Sequence, residues 1–196
     1  MKRFSLIAAV VLGCLSVSVA AANLPPDDDL EANLVEARSF DEFALYYAGM
    51  SVDGLPLTRI DGYEASRKYG KAIRHGSRWF WNFGYGDCEL PEGEGGCALP
   101  ASITVTSTCR IWASAYFRTN PSFPFHGARA AWTPAGHLDV YTGRTTITIY
   151  GWNRARSLRV ASALRRVRDD APMTRLPPPV KGSLQGRLPC QGKPGG

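Results

Sequence analysis

A histidine and an aspartate two residues apart form the one His–carboxylate pair in this chain that suggests acid–base chemistry. His137 and Asp139 are separated by Leu138 alone. Side chains two positions apart in a strand point to the same face, so the imidazole and the carboxylate would lie together. A small hydrolase could use them as a general base and its orienting group, which makes both candidate catalytic residues. A solvated pair at the start of a strand is the alternative that we favour.

Other catalytic and metal-binding patterns do not occur in the sequence. It contains no Gly-x-Ser-x-Gly, no Cys-x-x-Cys and no His-Glu-x-x-His. Four carboxylates on a glycine-rich stretch, Asp87, Glu89, Glu92 and Glu94, do not follow the spacing of a known calcium loop. We interpret that stretch as a solvated loop, and we expect no metal and no cofactor. The sequence favours a protein without catalytic activity.

Aromatic and basic residues suggest two further kinds of site. Trp79, Trp81, Phe83 and Tyr85 alternate along a predicted strand, so they share one face. Such a stripe could line a groove for a sugar or a peptide, or it could pack under a helix as part of the core. We favour the core, and keep the four residues as candidate binding residues.

Arginines concentrate in a predicted helix from about Arg154 to Asp169, which Asn153 would cap. Arg159 and Arg166 represent a basic stripe opposite an apolar arc, and this stripe could bind an anionic polymer. No aromatic residues interleave with the stripe, so we expect no specific nucleic-acid binding. A solvated outer face is the simpler interpretation.

Four cysteines downstream of an apolar leader predict a disulfide-bonded protein in an oxidising compartment. Cys88 and Cys97 close a short glycine-rich hairpin, and their pairing leaves Cys109 to join Cys190. A bond across that hairpin would stabilise the fold by roughly 2–3 kcal/mol in the chain-entropy model. Three pairings are open to four cysteines, and Cys109 and Cys190 as free thiols remain the rival interpretation.

The first 22 residues predict an export signal. Lys2 and Arg3 precede an uncharged run of about 16 residues, shorter than the roughly 20 that span a bilayer, and three alanines then offer a cleavage site. Removing this segment lowers the formal charge from +6 to +4. Cys14 resembles the modified cysteine of a lipoprotein signal, which would anchor the domain to the outside of the membrane. We favour cleavage and secretion, with lipidation of Cys14 as the alternative.

The elements that carry these residues predict an α+β fold. A short N-terminal helix is followed by several alternating strands, of which Ala101–Cys109 has the clearest pattern. We expect one domain over residues 23–172: a mostly antiparallel sheet, stapled by disulfides, with the C-terminal helix packed on one face. Residues 173–196, rich in proline and glycine, suit a tail that Cys190 could tether.

Several short segments resemble an uncharacterised family of exported or lipid-anchored bacterial proteins. The matching pieces are Tyr46-Tyr47-Ala48-Gly49, Gly54-Leu55-Pro56-Leu57-Thr58, Tyr85-Gly86-Asp87-Cys88, Gly95-Gly96-Cys97-Ala98-Leu99-Pro100 and Tyr141-Thr142-Gly143-Arg144. The resemblance covers roughly residues 40 to 165 and implies a location outside the cytoplasm, with no catalytic residue to transfer. We therefore expect a binding or structural module of the cell envelope. Its partner would be an envelope component or another exported protein.

Overall fold

The computed structural model of the chain describes residues 28–64, 79–87, 99–107 and 121–185. Within these ranges there are two helices, α1 (Asp28–Ser39) and α2 (Arg154–Ser162), and a 3-10 turn at Ser183–Gln185. The strands are β1 (Tyr46–Tyr47), β2 (Ser51–Val52), β3 (Leu55–Glu64), β4 (Trp79–Tyr85), β5 (Ala101–Ser107), β6 (Ser122–Phe125), β7 (Ala128–Trp132), β8 (Leu138–Thr142), β9 (Thr145–Tyr150), β10 (Arg165–Arg166) and β11 (Ala171–Pro172).

Eight of these strands form one sheet in the order β2-β3-β4-β5-β9-β8-β7-β6. Every neighbouring pair in it is antiparallel. The other three strands form a small sheet in the order β1-β10-β11. This arrangement confirms the predicted α+β class with a mainly antiparallel sheet.

The two faces of the large sheet differ in chemistry because side chains alternate along each strand. In β5, Ala101, Ile103 and Val105 are buried, whereas Ser102, Thr104 and Thr106 are half-buried. Directly paired residues share a face, so the strand register extends this division across the sheet. The polar face, as we call the second side, carries Arg59, Asp61, Asn82, Gly84, Ser102, Thr104, Asp139, Tyr141, Thr146, Thr148 and Tyr150.

Both helices contribute to the hydrophobic cluster on the opposite side, the core face. Leu34 and Ala37 of α1 and Val160 and Ala161 of α2 are buried in the same cluster as the inward side chains of the sheet. Asn153 caps α2 as the sequence predicts, its Oδ1 accepting a hydrogen bond from the Arg156 backbone N–H at 2.9 Å.

Helix α2 is shorter than predicted, because it ends at Ser162 and not near Asp169. The next residues pair with β1: Arg166 lies opposite Tyr46, and the Val167 N–H donates to the Leu45 carbonyl at 3.0 Å. Strand pairing with a distant segment therefore overrides the local helical pattern.

The C-terminal segment differs from expectation, and it lies near the edge of the large sheet. The edge strand there is β6, whose position at the end of the sheet tolerates Pro124. Residues 173–185, assigned to the tail, lie against the domain. The Leu176 N–H donates to the His126 carbonyl at 2.7 Å, and the Leu176 side chain is buried. Residues 186–196, with Cys190, lie outside the described residues.

Candidate functional site

A cavity of about 750 Å³ opens on the polar face of the sheet. This volume falls in the range of sites that bind small molecules. Strands β3, β4, β5 and β9 and the segments that follow β4 and precede β5 supply its walls. The lining residues are Thr58, Arg59, Asp61, Asn82, Gly84, Gly86, Asp87, Leu99, Ser102 and Tyr150. We call this the polar-face cavity.

A β-bulge shapes one wall of the cavity. Leu57 pairs with Tyr85, but the next paired residue is Arg59, so Thr58 is the extra residue in β3. The Thr58 hydroxyl donates to the Gly86 carbonyl at 2.8 Å and thereby holds the bulge against the end of β4. Bulges re-aim side chains and are frequent beside functional sites.

A glycine in β4 allows a leucine to lie over the sheet at the cavity. A Cβ placed on Gly84 would be 2.3 Å from Leu99 Cδ1 and 3.2 Å from Arg59 Cβ. Only a residue without a side chain leaves that space free. Leu99 therefore supplies an apolar patch among otherwise polar lining groups.

The charged groups of the cavity largely offset each other. The Arg59 Nε donates to Asp61 Oδ2, and both side chains keep substantial contact with solvent. Asp87 is exposed and adds one further negative charge to the lining. The described lining therefore holds one cation and two carboxylates.

Neutral polar residues also line the cavity. The Thr104 hydroxyl donates to Asn82 Oδ1 at 2.6 Å, which fixes the amide and leaves its Nδ2 hydrogens without an acceptor among the described residues. The hydroxyls of Ser102 and Tyr150 also have no hydrogen-bond partner within the part of the chain that the structure describes. The Tyr150 ring meets the His137 ring at 5.5 Å between centroids and 83°.

The two candidate catalytic residues lie on the polar face, but they are not arranged as a catalytic pair. Asp139 is 4% exposed, and its carboxylate accepts hydrogen bonds from the Thr148 hydroxyl at 2.7 Å and the Tyr141 hydroxyl at 3.1 Å. Burial raises the pKa of Asp139, although these two hydrogen bonds and the nearby His137 act to lower it. Among the described residues, no hydrogen bond joins the His137 ring to this carboxylate. The carboxylate of Asp139 is therefore bound by two hydroxyl groups, and the His137 ring contacts the ring of Tyr150.

The aromatic stripe of β4 lies on the core face, away from the cavity. Trp81, Phe83 and Tyr85 are at most 1% exposed, so a ligand in solution cannot contact them. Tyr85 accepts a hydrogen bond from the Ala48 backbone N–H at 2.7 Å, and half-buried Trp79 packs against the aromatic cluster. The sequence left two interpretations open, a ligand-binding groove and packing in the core, and the burial of these side chains supports the second.

The candidate arginines do not form one stripe. Arg159 lies on α2 and binds Asp53 through two hydrogen bonds of 2.7 and 2.9 Å, to which Arg156 adds a third of 2.9 Å. These hydrogen bonds, first that of Arg159, lower the pKa of Asp53 to about 2. Arg166 lies on β10 and pairs with Asp169. A carboxylate thus pairs with each candidate arginine. The two arginines lie on different elements because α2 ends at Ser162, before Arg166.

The cysteines of the predicted disulfides and of the predicted anchor all lie outside the described residues. They are Cys14, Cys88, Cys97, Cys109 and Cys190. Within those residues, no group of three or more His, Cys, Asp or Glu side chains is arranged to hold a metal ion. Neither described helix has the length and apolar content needed to cross a membrane.

Comparisons of the chain with protein-family models, with curated proteins and with solved structures find no match.

The residues that line the cavity were not predicted from the sequence. Asn82, Ser102 and Tyr150 lie on three different strands, and no short motif connects them. A usable signal was present in β4, where Asn82 is the one polar side chain in an aromatic run. Its position between Trp81 and Phe83 places it on the face opposite the core. The strand order was also needed to bring it beside Ser102 and Tyr150.

Proposed function

We propose that this chain is an exported, non-catalytic binding module of the cell envelope that holds its ligand in the polar-face cavity. The observation that supports the proposal is the group of uncommitted polar atoms in that cavity: the Asn82 amide nitrogen and the hydroxyls of Ser102 and Tyr150. Polar groups that converge in a concave site orient a ligand. The leader segment and the cysteine pattern support export.

A hydrolase is less well supported by the site geometry. A catalytic dyad needs a base within hydrogen-bond reach of the group that orients it and of a nucleophile. The carboxylate of Asp139 is instead engaged by Thr148 and Tyr141 and is buried.

A polyanion-binding role through Arg159 and Arg166 is also less well supported, because both guanidinium groups are paired with carboxylates.

The binding role is tested by two-dimensional amide NMR of the mature chain with separate small probes. The probes are neutral (cellotetraose and tetra-N-acetylchitotetraose), cationic (spermidine and trilysine) and anionic (phosphate and citrate). We expect at least one class to shift amides of β3, β4, β5 and β9 around the cavity, in a saturable way. Shifts confined to other surfaces, or none with any probe, would contradict the proposal.

Export and covalent state are tested on protein recovered from a bacterial host. We expect an intact mass that corresponds to cleavage near Ala20 or Ala22, in the fraction outside the cytoplasm. We also expect no reaction with a thiol reagent before reduction. A mass that begins at a lipid-modified Cys14 would establish the anchored alternative, and free thiols in the folded mature chain would refute the disulfide frame.

A further inference from the structure

We infer that the ligand of the polar-face cavity is an uncharged carbohydrate. This inference rests on the proposed binding function and specifies its ligand class. Four properties of the cavity lead to it: the balance of charge, the kind of uncommitted hydrogen-bonding groups, the apolar surface beside them, and the position of the cavity within the sheet.

The charge of the lining disfavours anionic ligands. Arg59 is the one cation in the described lining, and Asp61 already pairs with it. Asp87 then leaves a surplus of negative charge, which would repel phosphate, uronic acids and acidic peptides. Because Asp87 is exposed and the solvent screens it, both this repulsion and its pull on a cation are small, so no charge in the described lining selects strongly for an ion.

The uncommitted groups suit a molecule rich in hydroxyls. Asn82 offers two N–H donors, since its oxygen is held by Thr104 at 2.6 Å. The hydroxyls of Ser102 and Tyr150 can each donate and accept a hydrogen bond. Sugar hydroxyls also donate and accept, so neighbouring hydroxyls on one ring can use these groups together.

Apolar surface lies beside these polar groups. Leu99 and the ring of Tyr150 border the cavity, and the edge-to-face contact with His137 holds that ring in place. A pyranose ring has an apolar C–H face with hydroxyls at its rim. The lining has the same division into apolar and hydrogen-bonding parts.

The position of the cavity argues against an extended peptide as the ligand. Peptides that join a sheet use the free backbone groups of an edge strand. Strands β4, β5 and β9 each have a neighbour on both sides, so their backbone groups are committed to the ladder. Strand β3 pairs with β2 at Leu55 and Pro56, and farther along its outer edge the Asn33 amide of α1 donates to the Ile60 carbonyl at 3.0 Å. Recognition must therefore come from side chains, which suits a compact ring.

The test measures binding of four matched hexasaccharides by calorimetric and NMR titration of the mature chain. Hexa-N-acetylchitohexaose and cellohexaose are neutral, deacetylated chitohexaose is cationic, and hexagalacturonate is anionic. We expect a neutral hexasaccharide to bind more tightly than the cationic and anionic oligomers, with amide shifts at the cavity.

Four variants locate the binding. Ser102→Ala and Tyr150→Phe each remove one hydroxyl from the cavity, and each should raise the Kd about two- to tenfold. Thr106→Val and Tyr63→Phe remove the same kinds of hydroxyl from positions on this face that do not line the cavity. These two controls should bind like the wild type. All four variants are checked for an unchanged amide spectrum away from the substitution.

Each other outcome rejects a distinct claim. Cavity-centred binding of only the cationic or anionic oligomers, or of trilysine, would overturn the carbohydrate inference and leave the binding module standing. Failure of both neutral hexasaccharides would also overturn the inference, and the small-probe NMR screen would then decide the binding function. Neutral binding that Ser102→Ala and Tyr150→Phe leave unchanged would show that the cavity is not the site.

Discussion

Replacing Gly84, which lies under Leu99, with alanine should destabilise the wild type. The same substitution should stabilise a variant in which Leu99 is shortened to alanine. In the wild type, the Cβ of Gly84→Ala would be 2.3 Å from Leu99 Cδ1. Carbon atoms prefer about 3.5–4.0 Å, so Leu99 would have to move by roughly 1.5 Å. Arg59 Cβ, at 3.2 Å, would have to shift by a few tenths of an ångström.

The expected size of the effect follows from two opposed terms. Overpacking of this kind costs about 1–3 kcal/mol. Alanine in a strand gains about 0.5–1 kcal/mol over glycine, because the unfolded chain has less freedom to lose. We therefore expect Gly84→Ala to lower the free energy of unfolding of the wild type by about 0–2.5 kcal/mol.

Removing Leu99 should reverse the sign. In a Leu99→Ala background the crowded Cδ1 atom is absent, and the gain from alanine remains. Gly84→Ala should then raise the free energy of unfolding by up to about 0.5–1 kcal/mol. The gain from alanine cancels between the two backgrounds, so their difference, about 1–3 kcal/mol, is the overpacking cost and equals the coupling energy of the pair.

The assay is urea denaturation of the wild type, both single variants and the double variant, under non-reducing conditions. Midpoints and m-values are compared, because a constant m-value shows that stability alone has changed. Equal effects of Gly84→Ala in both backgrounds would refute the close approach of Leu99 to β4. A stabilising effect in the wild type would refute it as well.

Three further predictions concern the core, a helix cap and a buried carboxylate. Tyr85→Phe leaves the buried Ala48 N–H without its acceptor and should cost about 1–3 kcal/mol in urea denaturation; no loss would contradict that hydrogen bond. Asn153→Ala should cost about 1 kcal/mol through loss of the α2 cap, whereas Asn153→Asp should restore most of it. Because burial raises the folded-state pKa of Asp139, its contribution to stability is lost as the pH rises from about 4 through that pKa. As the pH rises over this range, the urea midpoint of the wild type should fall relative to the midpoint of Asp139→Asn. An increase of the wild-type midpoint relative to the variant would rule out the raised pKa.

Local pattern alone identified many of the elements of the sheet. The alternation in Ala101–Ser107 marks an amphipathic strand wherever it lies in the fold, because the two-residue period is a property of extended backbone. Asn153 indicated the start of α2 for an equally local reason, since the cap contacts a backbone N–H three residues away.

The end of α2 could not be predicted in this way. The apolar residues Val160, Leu164 and Val167 fit a longer helix, and all three are buried. Whether Val167 continues the helix or pairs with Leu45 depends on a segment more than a hundred residues earlier. This long-range pairing also separated Arg159 from Arg166 and removed the predicted basic stripe.

By itself, the sequence determined the fold class, which side chains of a strand share a face, and the presence of buried aromatic residues in β4. These features depend on neighbours along the chain. Only the tertiary structure decided which strands are adjacent, and therefore that Asn82, Ser102 and Tyr150 meet in one cavity. The physical reason is that strand order is set by long-range backbone pairing, which no local spacing of these three residues encodes.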